Sequence, residues 1–567
     1  MAPPDPREGL SPLEGCQQIE SAPVQPNCGS TATPCMEANV TQLPASPDLS
    51  HLKKQAKHLL RGALAGEPNA LQRFVDTLPA VRAIGVDALA HHELKLHDAQ
   101  SVISREYGFL SWTELKRYVE WKKHTEKTER LKRWLGWTYH GNKRERRLAV
   151  RMLREEPQLF RGDGWLACAI GDAMAVEAAI AHDKDWVNSR GGPLGMPPMI
   201  AVTHSKLILE ADPATGFETG FEKGLLASAN LLLQHGANVN SSWTNSRFPD
   251  CPLSALYGAA GLNHNAAMTR LLLEAGADPN DNESLYHSLE SPDPACTHLL
   301  LAANARVAGT NAIGRVLDYD KLELLQLLLE RGGDAREQPW IHSAITRGRS
   351  IDHVRTLVNA GADLHSTDKG GTTVYALAKS LGRTDVLELL REAGIEEQLS
   401  EEEQFVAACS RGDEEEARAI LARVPNIFAR LNKRQLHTMP DLASIGNQRA
   451  VRTMLALGWP LEVKSGWGAT ALNLAVFQGD SEMANLLLDF GADWRTLHSY
   501  GNNVLGTLSY ASQAEDIEAP SPRDYVGCAR ALVTYGMPIP KEGGHSFSPE
   551  VTEYFNSVRL RATWRRG

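Results

Sequence analysis

The chain has 567 residues, more than one compact hydrophobic core usually holds, because single cores stop growing at roughly 250–300 residues. Its hydrophobic fraction of 42% and charged fraction of 23% are ordinary for a soluble globular protein. The net charge of −10 excludes the overall basic bias that marks many nucleic-acid-binding proteins. The eight cysteines are scattered without a C-x-x-C pair, which argues against a zinc site or a dense disulfide framework.

No stretch approaches the roughly 20 apolar residues that span a bilayer, and the first residues lack the apolar run of a secretory signal. We therefore expect a cytoplasmic protein. Residues 1–47 are rich in Pro, Ser, Thr and Gly without a periodic apolar pattern, which predicts a disordered tail. Residues 541–567 are assigned as a C-terminal tail.

Residues 48–121 are predicted to form a small module of four short helices. Apolar residues recur there every three to four positions, which is the spacing of one helical face. Pro68 is expected at the start of the second helix, because proline is tolerated in the first turn. Ser111 followed by Glu114 is typical of a capping box at the start of the fourth helix.

A basic segment follows the module. Residues 121–154 contain twelve Lys or Arg residues and three acids, which gives a net charge of +9, whereas the rest of the chain carries −19. We favour a solvated basic helical linker over residues 122–157. The alternative is binding to nucleic acid or to an anionic membrane surface through residues 122–154, since aromatic residues are interleaved with the charges. The candidate contacts are Lys132, Arg133, Lys143, Arg144, Arg146 and Arg147.

Residues 158–540 repeat one sequence motif, a leucine run followed by glycine and a short polar stretch. Clear copies are LLLQHGANVN (231–240), LLLEAGADPN (271–280), LLLERGGDAR (327–336) and LLLDFGADWR (486–495). The leucines are expected to pack a helix on its neighbours, and the glycine to end it in the left-handed conformation. Gly361 and Gly394 are 33 residues apart, as are Gly458 and Gly491. This period predicts helix pairs stacked in a repeat array.

The 33-residue period and this sequence motif resemble the ankyrin repeat. Each unit also begins with an approximation of its Thr-Pro-Leu-His entry, in TALNLA (470–475), TTVYAL (372–377) and CPLSAL (251–256). In these entries the histidine is expected to be replaced by Asn473, Tyr375 and Ser254. The resemblance implies an all-α solenoid of about ten to eleven helix pairs, preceded by the small helical module.

The module itself carries a second resemblance. LKKQAKHLL (52–60) and DAQSVISREYGFLSW (98–112) are similar to a small helical module that precedes ankyrin repeats in a group of bacterial proteins. This similarity implies a bacterial origin and no known chemistry.

We find no complete catalytic or metal-binding motif. His92-Glu93 and His97 have the wrong spacing for a zinc-protease helix, which needs histidines four residues apart. Ser50-x-x-Lys53 matches a nucleophile motif in spacing alone, and an N-cap role for Ser50 is favoured. The acids Glu401–Glu403 are expected in the first turn of a helix capped by Ser400. We expect no enzyme activity, no cofactor, no metal and no small-molecule substrate.

The leading functional prediction is a scaffold that binds a protein partner through its concave face and inter-repeat turns. Aromatic residues in or beside those turns are the candidate contacts, because Trp and Tyr are enriched in binding hot spots. Packing of each ring against its own loop is the alternative. Insertions near residues 206–222 and 511–523 could add partner-specific shape. The candidate contacts are Trp243, Trp467, Trp494 and Tyr500.

Overall fold

The computed structural model describes residues 41–78, 85–89, 94–210, 220–244, 251–513, 523–540, 545, 547–548, 550–555 and 558. Most of the predicted tail 1–47, the His92-Glu93 pair, the centres of both insertions and most of residues 541–567 lie outside this set. The chain divides into two compact units, Met1–Ala303 and Asn304–Gly567. The two units are described separately below.

Unit 1 begins with seven helices in the described residues. They are α1 (Leu49–Leu64), α2 (Pro68–Thr77), α3 (Gly85–Leu89), α4 (Leu96–Glu106), α5 (Trp112–Lys123), α6 (Lys127–His140) and α7 (Lys143–Glu155). As predicted, Pro68 opens α2, and the Ser111 hydroxyl accepts a hydrogen bond from the N–H of Glu114 at the start of α5. The Glu114 carboxylate accepts from the N–H of Leu110. The prediction for Ser50 was wrong, because the N-cap of α1 is Asp48, whose carboxylate accepts from the N–H of Ser50.

The rest of unit 1 consists of four helix pairs in the part of the chain that the structure describes. The helices are α8 (Gly164–Ile170), α9 (Ala173–His182), α10 (Pro198–Thr203), α11 (Glu222–Gln234), α12 (Ala255–Tyr257), α13 (Ala266–Glu274), α14 (Ser284–Ser288) and α15 (Ala295–Ala302). A π-helical turn, Gly258–Leu262, continues α12. Strands β1 (Ser242–Thr244) and β2 (Pro252–Ser254) pair antiparallel in the turn before α12, with Trp243 opposite Leu253.

Unit 2 contains seven helix pairs and two short connecting helices in its described residues. The helices are α16 (Ala312–Asp318), α17 (Leu322–Glu330), α18 (Trp340–Thr346), α19 (Ile351–Asn359), α20 (Val374–Ser380), α21 (Thr384–Glu392), α22 (Glu401–Arg411), α23 (Glu414–Arg423), α24 (Ile427–Arg430), α25 (Lys433–Leu436), α26 (Thr438–Ser444), α27 (Gln448–Ala456), α28 (Ala471–Gln478), α29 (Ser481–Asp489), α30 (Val504–Ala511) and α31 (Tyr525–Thr534). In the described residues, all three short 3-10 turns belong to unit 1. They are Pro157–Leu159, Lys184–Asn188 and Lys206–Leu209.

Successive pairs pack first helix on first helix and second helix on second. At the end of unit 2, α26 contacts α28 and α28 contacts α30, while α27 contacts α29 and α29 contacts α31. At least one leucine of each run is buried, as with Leu487 of α29 and Leu532 of α31. The eleven pairs of the described residues confirm the all-α repeat array, with the number of pairs that the sequence predicts.

The predicted left-handed glycines are present where the leucine runs end. Gly361 and Gly491 both have φ of 94°, a conformation that costs a residue with a side chain roughly 1–2 kcal/mol. The capping box at Ser400 and Glu403 is also confirmed.

The residue at the fourth position of the Thr-Pro-Leu-His motif was predicted correctly in one repeat and wrongly in two. Thr470 caps α28 through the N–H of Asn473, as expected. Ser254 is itself the cap of α12, so Tyr257 takes the fourth position. Thr373 caps α20 through the N–H of Ala376, one residue later than the sequence comparison placed it.

Candidate functional site

Two of the three predicted aromatic contacts of unit 2 belong to a cluster at the last repeats. The ring centroid of Trp467 lies 4.8 Å from that of His498, 6.1 Å from Tyr500 and 6.0 Å from Phe477. Phe477 in turn stacks on Tyr510, with 6.2 Å between centroids and 13° between ring planes. These five residues are called the aromatic surface below. It combines two predicted residues, Trp467 and Tyr500, that are far apart in the sequence.

Two adjacent turns place these rings side by side. An isolated bridge between Ser465 and Ala469 closes the turn that carries Trp467. The N–H of Ser499, in the next turn along the chain, donates to the carbonyl of Trp467 at 3.2 Å. The repeat period therefore brings equivalent turn positions into contact, which is why residues about 30 apart share one surface.

The outer part of the aromatic surface is open to solvent. Tyr500 is 57% exposed and Tyr510 is 47% exposed, whereas Trp467 is half-buried. Of the nine large hydrophobic residues that are exposed in the described part of the chain, five lie between residues 490 and 535. They are Phe490, Leu497, Tyr500, Tyr510 and Tyr535. Scattered exposed apolar residues are normal, but two of these five, Tyr500 and Tyr510, belong to one cluster of contacting rings, as is typical of an interaction surface.

Electrostatics leave the centre of this surface neutral. Burial lowers the pKa of His498, and the nearby charge of Lys464 lowers it further. The N–H of Tyr500 donates to Nδ1 of His498 at 3.2 Å, an arrangement that suits a neutral imidazole. Lys464 itself donates to the carbonyl of Leu497 at 2.8 Å. The rings are thus presented without a charge on the imidazole.

The other two predicted aromatic contacts lie apart from this surface. Trp494 is half-buried, and the guanidinium of Arg495 lies 4.1 Å from its ring centroid. Trp243 belongs to unit 1, where it is half-buried in β1. The sequence analysis did not predict Phe477, Tyr510 or His498 as members of the aromatic surface; Phe477 and Tyr510 lie in α28 and α30 rather than in turns. The tyrosine at the exposed end of α30 was the available signal.

The basic segment is largely tied into the packing of unit 1. Of its aromatic residues, Trp121, Trp134 and Tyr139 are buried and Trp137 is half-buried, and the Tyr139 hydroxyl donates to the carbonyl of Ala201 at 3.0 Å. Buried rings cannot stack on nucleotide bases. Arg151 donates to the carbonyls of Tyr107 and Gly108. The predicted domain boundaries themselves stay predictions.

Arg146 was predicted to be an exposed member of the basic patch, and this prediction was wrong. It is buried, with its Nε 2.9 Å from Oε1 of Glu210 and its Nη1 3.2 Å from the carbonyl of Gly141. It therefore bridges α7 to the repeat region and is not available to a partner. Lys132 is exposed but lies 3.4 Å from Glu129. The exposed members without an ion pair to any described residue are Arg133, Lys143, Arg144 and Arg147.

A buried cluster of charges in unit 1 escaped the sequence analysis. Nδ1 of His287 lies 2.7 Å from Oε1 of Glu290, and its Nε2 lies 3.3 Å from Oε2 of Glu283. All three side chains are buried. Burial disfavours the charged imidazolium, but the two carboxylates outweigh it and raise the pKa of His287 to about 9. We call these residues the acid–histidine cluster; its ion pairs join α14 to the residues on either side of it.

The described residues provide little for catalysis. No group of three His, Cys, Asp or Glu among them could hold a metal ion. Burial raises the pKa of the Cys296 thiol to about 11 and that of Cys409 to about 12. Such thiols stay protonated and are poor nucleophiles. Within the same described part of the chain, no helix is long and apolar enough to cross a membrane.

Comparison with known proteins agrees with the geometry of the repeats. Residues 467–497, which carry Trp467 and Trp494, match the family model for the ankyrin repeat. The stacked helix pairs, the glycine-ended leucine runs and this match show that the chain is an ankyrin-repeat protein.

Several known proteins are similar over part of the chain. Ankyrin repeat and SOCS box protein 6 from Homo sapiens is 31% identical over 161 residues, 27% of this chain and 32% of that protein. A putative ankyrin repeat-containing protein from Treponema pallidum is 30% identical over 166 residues, 29% of this chain and 45% of that protein. The chain thus spans less than half the length of either relative.

A solved structure, the ankyrin-repeat domain of human ASB11, is 21% identical and covers 40% of this chain and 99% of that domain, with a TM-score of 0.20. The fold assignment does not depend on this structure. Relatives of human and of bacterial origin both occur, so the bacterial origin of this chain stays a prediction.

Proposed function

We propose that this protein is a non-catalytic scaffold that binds a protein partner through the aromatic surface of its last repeats. The single observation that carries the proposal is the concentration of exposed rings there, with Tyr500 and Tyr510 both about half exposed and supported by packed rings beneath. Ankyrin repeats generally serve as scaffolds for protein–protein interaction. The cytoplasm remains the compartment that we propose.

The arrangement suits binding because the exposed rings are held before a partner arrives. Trp467 contacts three neighbouring rings and so supports Tyr500 from below. A rigid aromatic side chain loses little conformational entropy on binding, so more of its contact energy contributes to affinity. Hot-spot residues of this type typically cost at least about 2 kcal/mol when truncated.

The two tyrosines are the best probes of this proposal. Replacing Trp467 would also remove packing inside the array, whereas Tyr500→Ala and Tyr510→Ala remove exposed side chains and should leave the thermal transition nearly unchanged. A matched control is Met174→Ala in unit 1, where the side chain is 81% exposed. We expect the double tyrosine variant to bind a captured partner roughly 30-fold more weakly or worse, and the control to bind as the native protein does.

The partner is first trapped by photo-cross-linking in cells, with benzoylphenylalanine in place of Tyr500 or, as a control, of Met174. We expect a discrete protein adduct from position 500 and none from position 174. The adduct is identified by mass spectrometry, and its affinity for each variant is then measured with purified proteins. Unchanged affinity of the tyrosine variant would show that the binding surface lies elsewhere.

A further inference from the structure

Helix α1 has a row of positive charges on its outer side. Lys53, Lys54, Lys57 and Arg61 are all exposed, and residues 49–66 contain no Asp or Glu. At 3.6 residues per turn, these four side chains fall within an arc of about 100°. Lys53, Lys57 and Arg61 are each separated by a rise of about 6 Å along the helix axis. We call this set the basic face of α1.

Within the described residues, these four charges take no part in the polar contacts of the fold. None of the four side chains forms an ion pair or hydrogen bond with any residue that the structure describes. In the basic segment, Arg130 and Lys122 pair with Glu156, whereas Arg133, Lys143, Arg144 and Arg147 form no ion pair with a described residue. The basic face of α1 differs from these because residues 49–66 contain no acid, while α7 contains Glu145 and Glu155, and the chain as a whole carries a net charge of −10. A row of unpaired cations on an acidic protein favours a polyanionic partner.

Insertion into a membrane surface does not fit this helix. A helix that lies in a membrane interface buries its apolar side among the lipids. The apolar side of α1, formed by Leu52, Ala56 and Leu59, is already buried, and the helix packs against α2 and α4. Leu64 is the one large exposed apolar residue among the described residues of α1. The free side of the helix therefore offers charge rather than an insertion surface.

Single-stranded nucleic acid is also a poor match, because it is usually held by aromatic side chains on which the bases stack. The sequence of α1 contains no aromatic ring of Phe, Tyr or Trp. A duplex presents its phosphates without exposing the base faces. The wide major groove of B-form DNA admits an α-helix, whereas the major groove of an RNA duplex is too deep and narrow.

We propose that the basic face of α1 binds the phosphate backbone of double-stranded DNA, without reading its sequence. The acid next to this face, the cap residue Asp48, already pairs with Lys123, whose Nζ lies 3.7 Å from its Oδ2. Binding by point charges to phosphates positions a protein on DNA and carries no sequence information. This site is separate from the aromatic surface and does not depend on it.

The test measures binding of the full-length protein to short labelled DNA duplexes of two unrelated sequences by fluorescence anisotropy. Four phosphate contacts give a salt slope of about −3.6, so affinity should fall on the order of 100-fold between about 50 and about 200 mM salt. Both sequences should bind equally. The test variant neutralises the basic face of α1 and carries Lys53→Gln, Lys54→Gln, Lys57→Gln and Arg61→Gln.

A second variant is matched in charge and keeps α1 intact. It carries Arg133→Gln, Lys143→Gln, Arg144→Gln and Arg147→Gln, all exposed residues of α6 and α7. We expect the α1 variant to lose about tenfold or more in affinity with a flatter salt slope, and the matched variant to keep most of its affinity. Circular dichroism checks that both variants are folded.

Three results would overturn the proposal. The first is native protein that binds neither duplex at low salt, and the second is an α1 variant that binds as tightly as the native protein. The third is equal or tighter binding to anionic lipid vesicles, to polyglutamate or to an RNA duplex, because each would assign the basic face to another partner.

Discussion

Single residues in this protein show how strongly a buried environment changes titration. His287 is held between the carboxylates of Glu283 and Glu290, and its pKa rises from the ordinary 6.5 to about 9. The opposite occurs at His204 and His264, where burial lowers the pKa to about 3 and about 4. All three belong to unit 1, so its stability should depend on pH in two directions.

The raised pKa of His287 stabilises the fold while the imidazole is charged in the native state. Its contribution is complete below pH 6.5 and is lost as pH rises through about 9. The loss amounts to at most about 3 kcal/mol. We expect the protection factors of amides in α12–α15, which correct hydrogen-exchange rates for the intrinsic rate at each pH, to fall as pH rises through about 9. His287→Gln should be destabilised by about 3–5 kcal/mol and lose this dependence; a variant with the native pH profile would contradict the assignment.

His204 and His264 produce the reverse effect on the acidic side. Because burial keeps them neutral in the native state, their contribution is complete above pH 6.5 and is lost as pH falls towards about 4 and about 3. Stability of unit 1 should therefore be greatest near pH 6.5. Protection factors of amides in α10–α13, which flank His204 and His264, measure this side of the profile at acidic pH, and His204→Phe should reduce the loss. An acid loss of native size in that variant would contradict a neutral buried imidazole.

Among the elements, the turn glycines have the clearest physical role. Gly491 follows α29 with φ of 94°, and a Cβ there would meet no atom within 4 Å. Any cost of Gly491→Ala is therefore conformational rather than steric, and we expect about 1–2 kcal/mol, measured by urea unfolding. Gly136 is a matched control, since it lies inside α6 with equally open space. Gly136→Ala should be neutral or stabilising by up to about 1 kcal/mol; equal effects at both positions would contradict this explanation.

At the scale of the whole molecule, contacts in the repeats are made between neighbouring elements, so damage should stay local. Arg146 tests this, because its buried pair with Glu210 joins α7 to the repeat region of unit 1. Arg146→Met leaves Glu210 buried without its partner and should cost about 3–5 kcal/mol. We expect faster hydrogen exchange in α6–α11 and no change in α28–α31. An increase throughout both units would show a single cooperative structure.

The sequence alone determined the class of the fold. Leucine runs ending in glycine, 33 residues apart at Gly361 and Gly394, predict stacked helix pairs because periodicity and helix termination depend on nearby residues. Trp467 and Tyr500 were also predicted as surface aromatics. Local patterns did not locate every helix start: Asp48 rather than Ser50 caps α1, because the choice depends on which side chain meets the free N–H groups.

Only the tertiary structure decided which charged and aromatic residues are free to act. Arg146 and Arg133 look alike in the sequence, but Arg146 is buried against Glu210, 64 residues away, and Arg133 is exposed. The meeting of Trp467 with Tyr500 and the burial of the acid–histidine cluster likewise depend on how segments pack together, although the three residues of the cluster are neighbours in the sequence. Burial and charge pairing are set by contacts between distant parts of the chain, and a local pattern carries no information about those contacts.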